Sequence, residues 1–321
     1  MIPVQYCTEL SFSPGLTELA VIAGTEPPAI GIHEVPSTQL VRSLPLPGID
    51  RVHTWSRGVV HLGAAVVHLE QLTWQSPRTW RIVRHRAPDW QREVLAEFDE
   101  EHSVGLRAVP GGFVVVRAAE FLFGGADGPL RDPAGVPEFA NREVTLLDAH
   151  AGTGRIAVVS KPKPWAPGRW LTVLRPDLTV LAEQELEFED HYGWFCGPDL
   201  LVTFGEWQSM TCLRIADGEL RDVGGTHLLK QNRSYGVHSM PLGLTTLPLR
   251  NLIAVEQEYG LPTLWLDAVT GKDTEPPPYR DRFPVWASPN GQYLVFVADH
   301  SRLELATDPA FAPGDVEPDR V

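Results

Sequence analysis

The side chains of this sequence best suited to chemistry are its 11 histidines, because imidazole is both a metal ligand and a base near neutral pH. Four of them occur at comparable places, in a polar stretch just before an apolar run: His53, His102, His191 and His238. If the fold makes these stretches converge, they predict a polar mouth that binds a metal ion or a small anionic ligand. A metal-dependent small-molecule hydrolase or lyase would use such a mouth. The alternative, which we favour, is that each histidine caps its own hydrated turn.

Tryptophan and arginine form a second group of candidate residues. Residues 69–93, LEQLTWQSPRTWRIVRHRAPDWQRE, interleave the two types and are the basic segment of an acidic chain. Both types are enriched in protein-binding hot spots, so the segment predicts binding residues at Trp74, Trp80, Arg81, Arg84 and Trp90. The alternative is a wide sheet whose outer strands carry alternating Trp and Arg.

A proline-stiffened loop supplies further candidates for protein binding. Residues 161–170 read KPKPWAPGRW, and a loop that keeps its shape before binding loses less entropy on docking. We therefore add Trp165, Arg169 and Trp170 to the predicted protein-binding residues.

Motifs for common enzyme chemistries are missing from the sequence. It contains no Gly-x-Ser-x-Gly nucleophile elbow, Walker A loop, His-Glu-x-x-His, Cys-x-x-Cys or EF-hand loop. The cysteines, Cys7, Cys196 and Cys212, lack the spacing of metal ligands. We expect no cofactor, no metal and no catalytic residue outside the histidine alternative.

Charge and hydropathy exclude other classes of function. The chain has 27 basic and 41 acidic residues, a net charge of −14, whereas nucleic-acid binding needs a basic surface to displace counterions from phosphates. No apolar stretch approaches the roughly 18 residues that span a bilayer. The N-terminus, MIPVQYCTEL, lacks the pattern of a secretory signal. We expect a cytoplasmic protein that binds neither nucleic acid nor membrane.

The elements that would position these residues are short strands. With 29 Pro and 28 Gly in 321 residues, turns are too frequent for long helices. One pattern, an apolar run, a turn and a second apolar run, appears seven times, at 10–24, 53–63, 106–118, 144–160, 193–205, 244–258 and 283–299. A repeat of roughly 40–50 residues with several strands in each period is typical of a β-propeller. A generic β-sandwich is the alternative.

The sequence therefore predicts an all-β, seven-bladed β-propeller of four-stranded antiparallel blades in one domain, 1–321. The approximate blades are 8–46, 50–98, 102–140, 142–187, 188–224, 235–276 and 281–307, with 308–321 as a C-terminal tail. The N-terminal strand 2–6 is expected to complete the last blade by pairing the two ends of the chain.

Two of the seven hairpins carry a family resemblance. FPVWASPNGQYLVFVAD, 283–299, resembles the WSPDGxxLxF hairpin of TolB-type and WD40-like propellers, and LSFSPGLTELAVIAG, 10–24, is a looser copy. The sequence departs from the pattern at Asn290, where the family has Asp, and at Gly15, which follows Pro14 directly. The resemblance implies the propeller architecture and, for most such proteins, a binding platform rather than an enzyme.

These observations predict a non-catalytic protein-interaction scaffold or a regulatory subunit of a cytoplasmic complex. One or more protein partners would dock through the long loops of the propeller. The metal-dependent hydrolase or lyase at the channel mouth is the alternative.

Overall fold

The computed structural model describes residues 2–3, 7–23, 28–46, 58–73, 76–101, 104–131, 134–163, 168–186, 190–205, 210–224, 241–257, 263–275, 277, 284–299 and 302–310. The chain divides into two compact units, which are treated separately below. Unit 1 comprises Met1–Leu146 with Ala298–Leu305, and unit 2 comprises Leu147–Val297 with Ala306–Val321.

The described residues form 27 strands in seven sheets. In chain order the first strand is β1 (Ile2–Pro3), and the first sheet contains β2 (Cys7–Phe12), β3 (Glu18–Ala23), β4 (Ala29–Glu34) and β5 (Leu40–Pro45). The second sheet contains β6 (Val59–His61), β7 (Ala65–Gln71), β8 (Arg78–Arg86) and β9 (Gln91–Glu100). The third contains β10 (Gly105–Val109), β11 (Gly112–Arg117), β12 (Glu120–Gly124) and β13 (Ala134–Gly135).

The remaining sheets follow in the same order. The fourth contains β14 (Arg142–Ala149), β15 (Ile156–Pro162), β16 (Trp170–Leu174) and β17 (Val180–Glu185). The fifth contains β18 (Asp190–Gly197), β19 (Leu200–Gly205), β20 (Met210–Ala216) and β21 (Glu219–Gly224). The sixth contains β22 (Pro241–Leu247), β23 (Leu252–Gln257) and β24 (Leu264–Asp267), and the seventh contains β25 (Pro284–Ala287), β26 (Tyr293–Asp299) and β27 (Arg302–Thr307).

The seven sheets confirm the predicted seven-bladed β-propeller. Each is built from neighbouring strands that pair antiparallel, as in the first sheet. The sixth has three strands within the described residues instead of the expected four. The N-terminal strand pairs as expected, because β1 lies antiparallel to β27 with Ile2 opposite Leu303. Residues 4–6 of that predicted strand lie outside the described part.

A buried serine explains the local structure of the two hairpins that resemble the family pattern. The backbone N–H of Tyr293 donates to Ser288 Oγ over 2.9 Å, and the N–H of Glu18 donates to Ser13 Oγ over 3.0 Å. In both turns the hydroxyl oxygen satisfies a donor that the tight turn leaves without a strand partner. Gly291 follows in the left-handed region at φ +75°, a conformation that favours glycine.

Within each unit, an inner strand that lies between two neighbouring sheets is apolar on both faces, because each face packs against one of them. In unit 1 one core joins Val67 and Ile82 of the second sheet to Phe113 of the third. In unit 2 a comparable core joins Val173 of the fourth sheet to Leu201 of the fifth. These cores hold the outer strands that carry the predicted site residues.

The segment 119–143, a long Gly- and Pro-rich insertion in the sequence, is anchored in unit 1. It supplies β12 and β13 and a short 3-10 helix, Pro137–Phe139. Phe121 and Phe139 are buried and stack with ring centroids 6.2 Å apart. Among the described residues, no helix has the length and apolar character needed to cross a membrane.

Candidate interaction surface

The predicted Trp/Arg segment forms the outer half of the second sheet. Among the described residues of this sheet, β8 and β9 are the longest strands, with 9 and 10 residues. At the open end of the strand pair, Arg78 lies opposite Glu100 and Thr79 lies opposite Asp99. The residues that follow β7 still accompany β8 there, because the N–H of Leu72 donates to the carbonyl oxygen of Thr79 over 2.8 Å. We call residues 78–100 the β8–β9 hairpin. β8 carries Trp80 among four arginines, and Trp90 lies in the turn that precedes β9.

Alternation along β8 sends its arginines to two different environments. Arg84 is buried, and it donates to Glu93 Oε2 over 2.8 Å and to the carbonyl oxygens of Gly125 and Gly128 over 3.2 and 2.7 Å. Arg81 lies on the opposite face of the sheet from Arg84. It is partly exposed and donates to Glu97 Oε2 over 2.6 Å. One arginine therefore anchors the loop after β12, and the other lies at the surface.

The tryptophans of the same segment are also distributed between core and surface. Trp80 is only 2% exposed and belongs to the core shared with the third sheet. Trp90 lies in the β8–β9 turn at φ +57°, half-buried, with its ring edge-on to His61. Trp74 lies outside the described residues. Arg81 is therefore partly accessible on the hairpin, whereas Trp80 and Arg84 are buried beneath it.

Of the second predicted docking loop, residues 161–170, the structure describes both ends but not residues 164–167. Trp165 lies outside the described residues, whereas Arg169 and Trp170 are half-buried, and Trp170 begins β16. Gly168 precedes them at φ +107°, where a Cβ atom would come within 2.8 Å of the Trp170 ring. Glycine at 168 thus lets the chain pass close to the indole.

The histidines of the alternative enzyme interpretation are not brought together in the described structure. His53, His102 and His238 lie outside the described residues, and His191 is placed only by its backbone, in β18. Within the ranges given above, no group of three or more His, Cys, Asp or Glu side chains is arranged to hold a metal ion. The histidine site therefore stays a prediction.

A different set of histidines is buried in the second sheet, and sequence reasoning missed it. His68 and His85 stack with ring centroids 5.4 Å apart and their planes 17° from parallel. Glu70 lies beside them, with its Oε1 3.8 Å from His68 Nε2 and its Oε2 accepting a 2.7 Å hydrogen bond from Arg92. We call His68, Glu70, His85 and Arg92 the buried polar cluster. The sequence signal was the alternation of His68 and Glu70 along β7, but nothing in it predicted that β8 would bring His85 alongside.

The buried polar cluster is short of hydrogen bonds. Both ring nitrogens of His68, Nε2 of His85 and Oε1 of Glu70 have no hydrogen-bond partner among the described residues. Burial, with the nearby His85 and Arg92, lowers the pKa of His68 to about 3, and burial lowers the pKa of His85 as well. Burial also raises the pKa of Glu70, against the opposing effect of Arg92. Both imidazoles are therefore neutral at pH 7, and His68 is too weak a base for proton transfer near neutrality.

A third buried histidine lies at the end of β6. His61 Nε2 is 3.0 Å from Glu18 Oε2 without a hydrogen-bonding geometry. Its Nδ1 accepts a 3.0 Å hydrogen bond from the backbone N–H of Gly63. Burial of the imidazole disfavours its charged form and lowers the pKa of His61 to about 4. His61 serves as a structural residue that closes the tight turn after β6.

Comparisons with known proteins add information on the fold. No protein-family profile matches the chain, and no curated protein matches its sequence. The β-propeller domain of Cps50 (Swd1) from Myceliophteria thermophila aligns with a TM-score of 0.59 and 10% identity, covering 94% of this chain and 95% of that one. KlAtg21, solved in complex with the coiled coil of AgAtg16, aligns with a TM-score of 0.59 and 12% identity, covering 94% and 99%. Sqt1 from Saccharomyces cerevisiae aligns with a TM-score of 0.56 and 10% identity, covering 92% and 80%.

At these identities the likeness concerns the fold alone. The chain is an all-β propeller, and the structures that it resembles are propellers of the WD40 kind. The resemblance inferred from the hairpins at 10–24 and 283–299 is thereby confirmed at the level of architecture.

Proposed function

We propose that this protein is a non-catalytic interaction scaffold or regulatory subunit of a cytoplasmic complex. One or more protein partners dock through its long loops, and the β8–β9 hairpin and the loop that precedes β16 are two separate candidate surfaces. The observation that carries the proposal is the hairpin itself, which is held by ion pairs between its strands and carries charged side chains at the surface.

The hairpin is held in shape before any partner arrives. Arg81 pairs with Glu97 across the two strands, and Arg84 ties Glu93 to the loop after β12. A surface ordered by its own contacts loses less conformational entropy on binding than a mobile loop does. Such a surface suits a docking site better than a simple solvated edge.

The likeness to other propellers supports the same class of function. KlAtg21 was solved together with a coiled-coil partner, which is a property of that protein. For the present chain, the net charge of −14 favours association with a basic partner, because complementary charge speeds encounter and disfavours wrong partners.

The test is affinity capture from a cell extract with a matched pair of charge reversals. Glu97 lies on the hairpin and pairs with Arg81, and Glu219 lies on β21 and pairs with Arg221. Both glutamates are about half-exposed or more. Glu97→Lys should reduce the captured partner several-fold, because a basic partner is repelled there, and Glu219→Lys should leave it unchanged.

Two outcomes would contradict the proposal. Equal capture by both variants would show that the hairpin is not the docking surface. Capture of no partner in near-stoichiometric amount by the unaltered protein would refute the scaffold role itself. Thermal melting of both variants controls for loss of the fold.

A further inference from the structure

Within the described residues, the outermost strand of the second sheet, β9, has no strand on its far side. β9 comes last in the order β6-β7-β8-β9, and its ten residues pair only with β8 within the described part of the chain. The backbone N–H and C=O groups on its other side point outward, as on any edge strand, and such groups can pair with an added strand.

A β-bulge limits the usable length of this edge. Val83 pairs with Val94 and Ile82 pairs with Ala96, so that Leu95 is an extra residue on β9. A bulge interrupts the regular ladder on its own strand. The continuous edge therefore covers residues 96–100, long enough for a short extended peptide.

The side chains along this edge are acidic. β9 carries Glu93, Glu97, Asp99 and Glu100 against one cation, Arg92. The Arg92 guanidinium reaches inward to Glu70 on β7, and so it does not neutralise the edge.

The carboxylates of Glu93, Glu97 and Asp99 on β9 each interact with the rest of the protein through one oxygen atom. Glu93 and Glu97 contact arginines of β8 through Oε2, and Asp99 accepts a hydrogen bond from Thr79 through Oδ1. Within the described residues, the second oxygen of each of these three carboxylates makes no hydrogen bond or ion pair. Glu97 and Asp99 are two residues apart, so they lie on the same face of the strand.

The charge pattern selects the occupant of the edge. A second copy of the chain would place acidic edge against acidic edge, and like charges directly opposite destabilise a strand pair. An added strand with Lys or Arg at alternating positions would instead direct its cations towards Glu97 and Asp99. Val94, 41% exposed, lies opposite Val83 on the same face and offers an apolar contact just before the bulge.

We infer that residues 96–100 of β9 bind an extended segment of a partner protein with Lys or Arg at alternating positions, which joins the second sheet as a fifth strand. This inference rests on the proposed scaffold function, for which it names the partner chemistry. The backbone edge supplies binding energy through hydrogen bonds, and the carboxylates select a basic segment.

Direct binding of synthetic peptides tests the inference without knowledge of the natural partner. The probe is a fluorescein-labelled octapeptide, Thr-Val-Lys-Val-Lys-Val-Lys-Thr, titrated with the full chain at 0.15 M salt and followed by fluorescence anisotropy. One control peptide has Glu in place of each Lys. The other keeps every Lys and is N-methylated at alternate residues on the face that pairs with the strand.

The protein variants are a matched pair of double charge reversals. Glu97→Lys/Asp99→Lys changes the edge, and Asp217→Lys/Glu219→Lys makes the same change in net charge at an exposed turn of the fifth sheet. The edge variant should lose at least tenfold in affinity and the turn variant less than twofold. Loss of at least tenfold with the N-methylated peptide is also expected, because its strand-pairing donors are gone.

The outcomes separate this inference from the proposed function. Equal binding of the N-methylated peptide, or equal loss in the two variants, would mean attraction to the overall negative charge and would overturn strand addition. If the protein captures a partner from extract and the edge variant captures it equally well, the edge inference fails and the scaffold role stands. If no partner is captured while the peptide binds with the expected pattern, the edge inference stands and the scaffold role fails.

Discussion

Removal of the buried imidazole of His68 should weaken the acid sensitivity of this protein. The folded chain holds His68 neutral, with a pKa of about 3, whereas the same side chain in the unfolded chain has a pKa of about 6.5. Below pH 6.5 the unfolded chain therefore binds a proton at His68 that the folded chain does not bind. The contribution of His68 to the free energy of unfolding is fully present above pH 6.5 and is lost as the pH falls towards 3.

The magnitude follows from the difference in proton binding. Between pH 7 and pH 5 the free energy of unfolding should fall by about 2 kcal/mol through His68 alone, at about 1.4 kcal/mol for each pH unit below 6.5. Glu70 acts in the opposite direction, because its raised pKa lets the folded chain take up a proton before the unfolded chain does. His68→Leu removes the share of His68 and leaves those of Glu70 and of His85, whose lowered pKa acts in the same direction as that of His68.

Urea denaturation of the protein and of His68→Leu at pH 8, 7 and 5 measures the effect. The two proteins should keep a nearly constant difference in free energy of unfolding between pH 8 and 7. Between pH 7 and 5 the unaltered protein should lose about 2 kcal/mol more than the variant. Equal losses would refute the conclusion that His68 is buried in its neutral form.

Two further predictions compare side chains of one type in different surroundings. Arg84→Met should reduce the free energy of unfolding by about 2–4 kcal/mol, because it removes a buried guanidinium that bonds to Glu93 and to the carbonyl oxygens of two glycines. Arg81→Met at the surface should cost less than about 1 kcal/mol, and similar losses in chemical denaturation would contradict the assigned burial. Gly291→Ala should destabilise more than Gly111→Ala: both glycines have positive φ, but a Cβ atom at 291 would lie 2.8 Å from Leu249, and one at 111 would have open space. Equal shifts in melting temperature would show that the Leu249 side chain moves aside at no cost.

Local sequence patterns predicted the fold because the interactions that form a propeller hairpin join residues close together in the chain. Ser13 and Ser288 each close a turn through hydrogen bonds within five residues, and Gly291 supplies the positive φ that the turn requires. Interactions over such short separations can be recognised in the sequence, even where the copies have diverged. The pairing of β1 with β27 was also predictable, since a blade lacking one strand needs an edge partner.

The candidate surface was predictable in place but not in detail. The sequence identified residues 78–100 as an unusual segment. Because side chains alternate between the two faces of a strand, neighbouring residues in it were expected to point in opposite directions. It did not tell which face meets the third sheet, and so Trp80 and Arg84 were predicted as contact residues although both are buried. The structure leaves Arg81, Arg86, the β8–β9 turn and the edge of β9 accessible in this segment.

By itself, the sequence determined the strand content, the sevenfold repeat and the turns, because these depend on residues close together in the chain. Only the tertiary structure decided which polar groups share the interior. His68 and His85 lie 17 residues apart on different strands, and they stack because the β7–β8 register places Val66 opposite His85 and His68 opposite Val83. A shift of one residue would send one of the two rings to the other face of the sheet. That register is set by the packing of whole sheets, which no local pattern of the sequence contains.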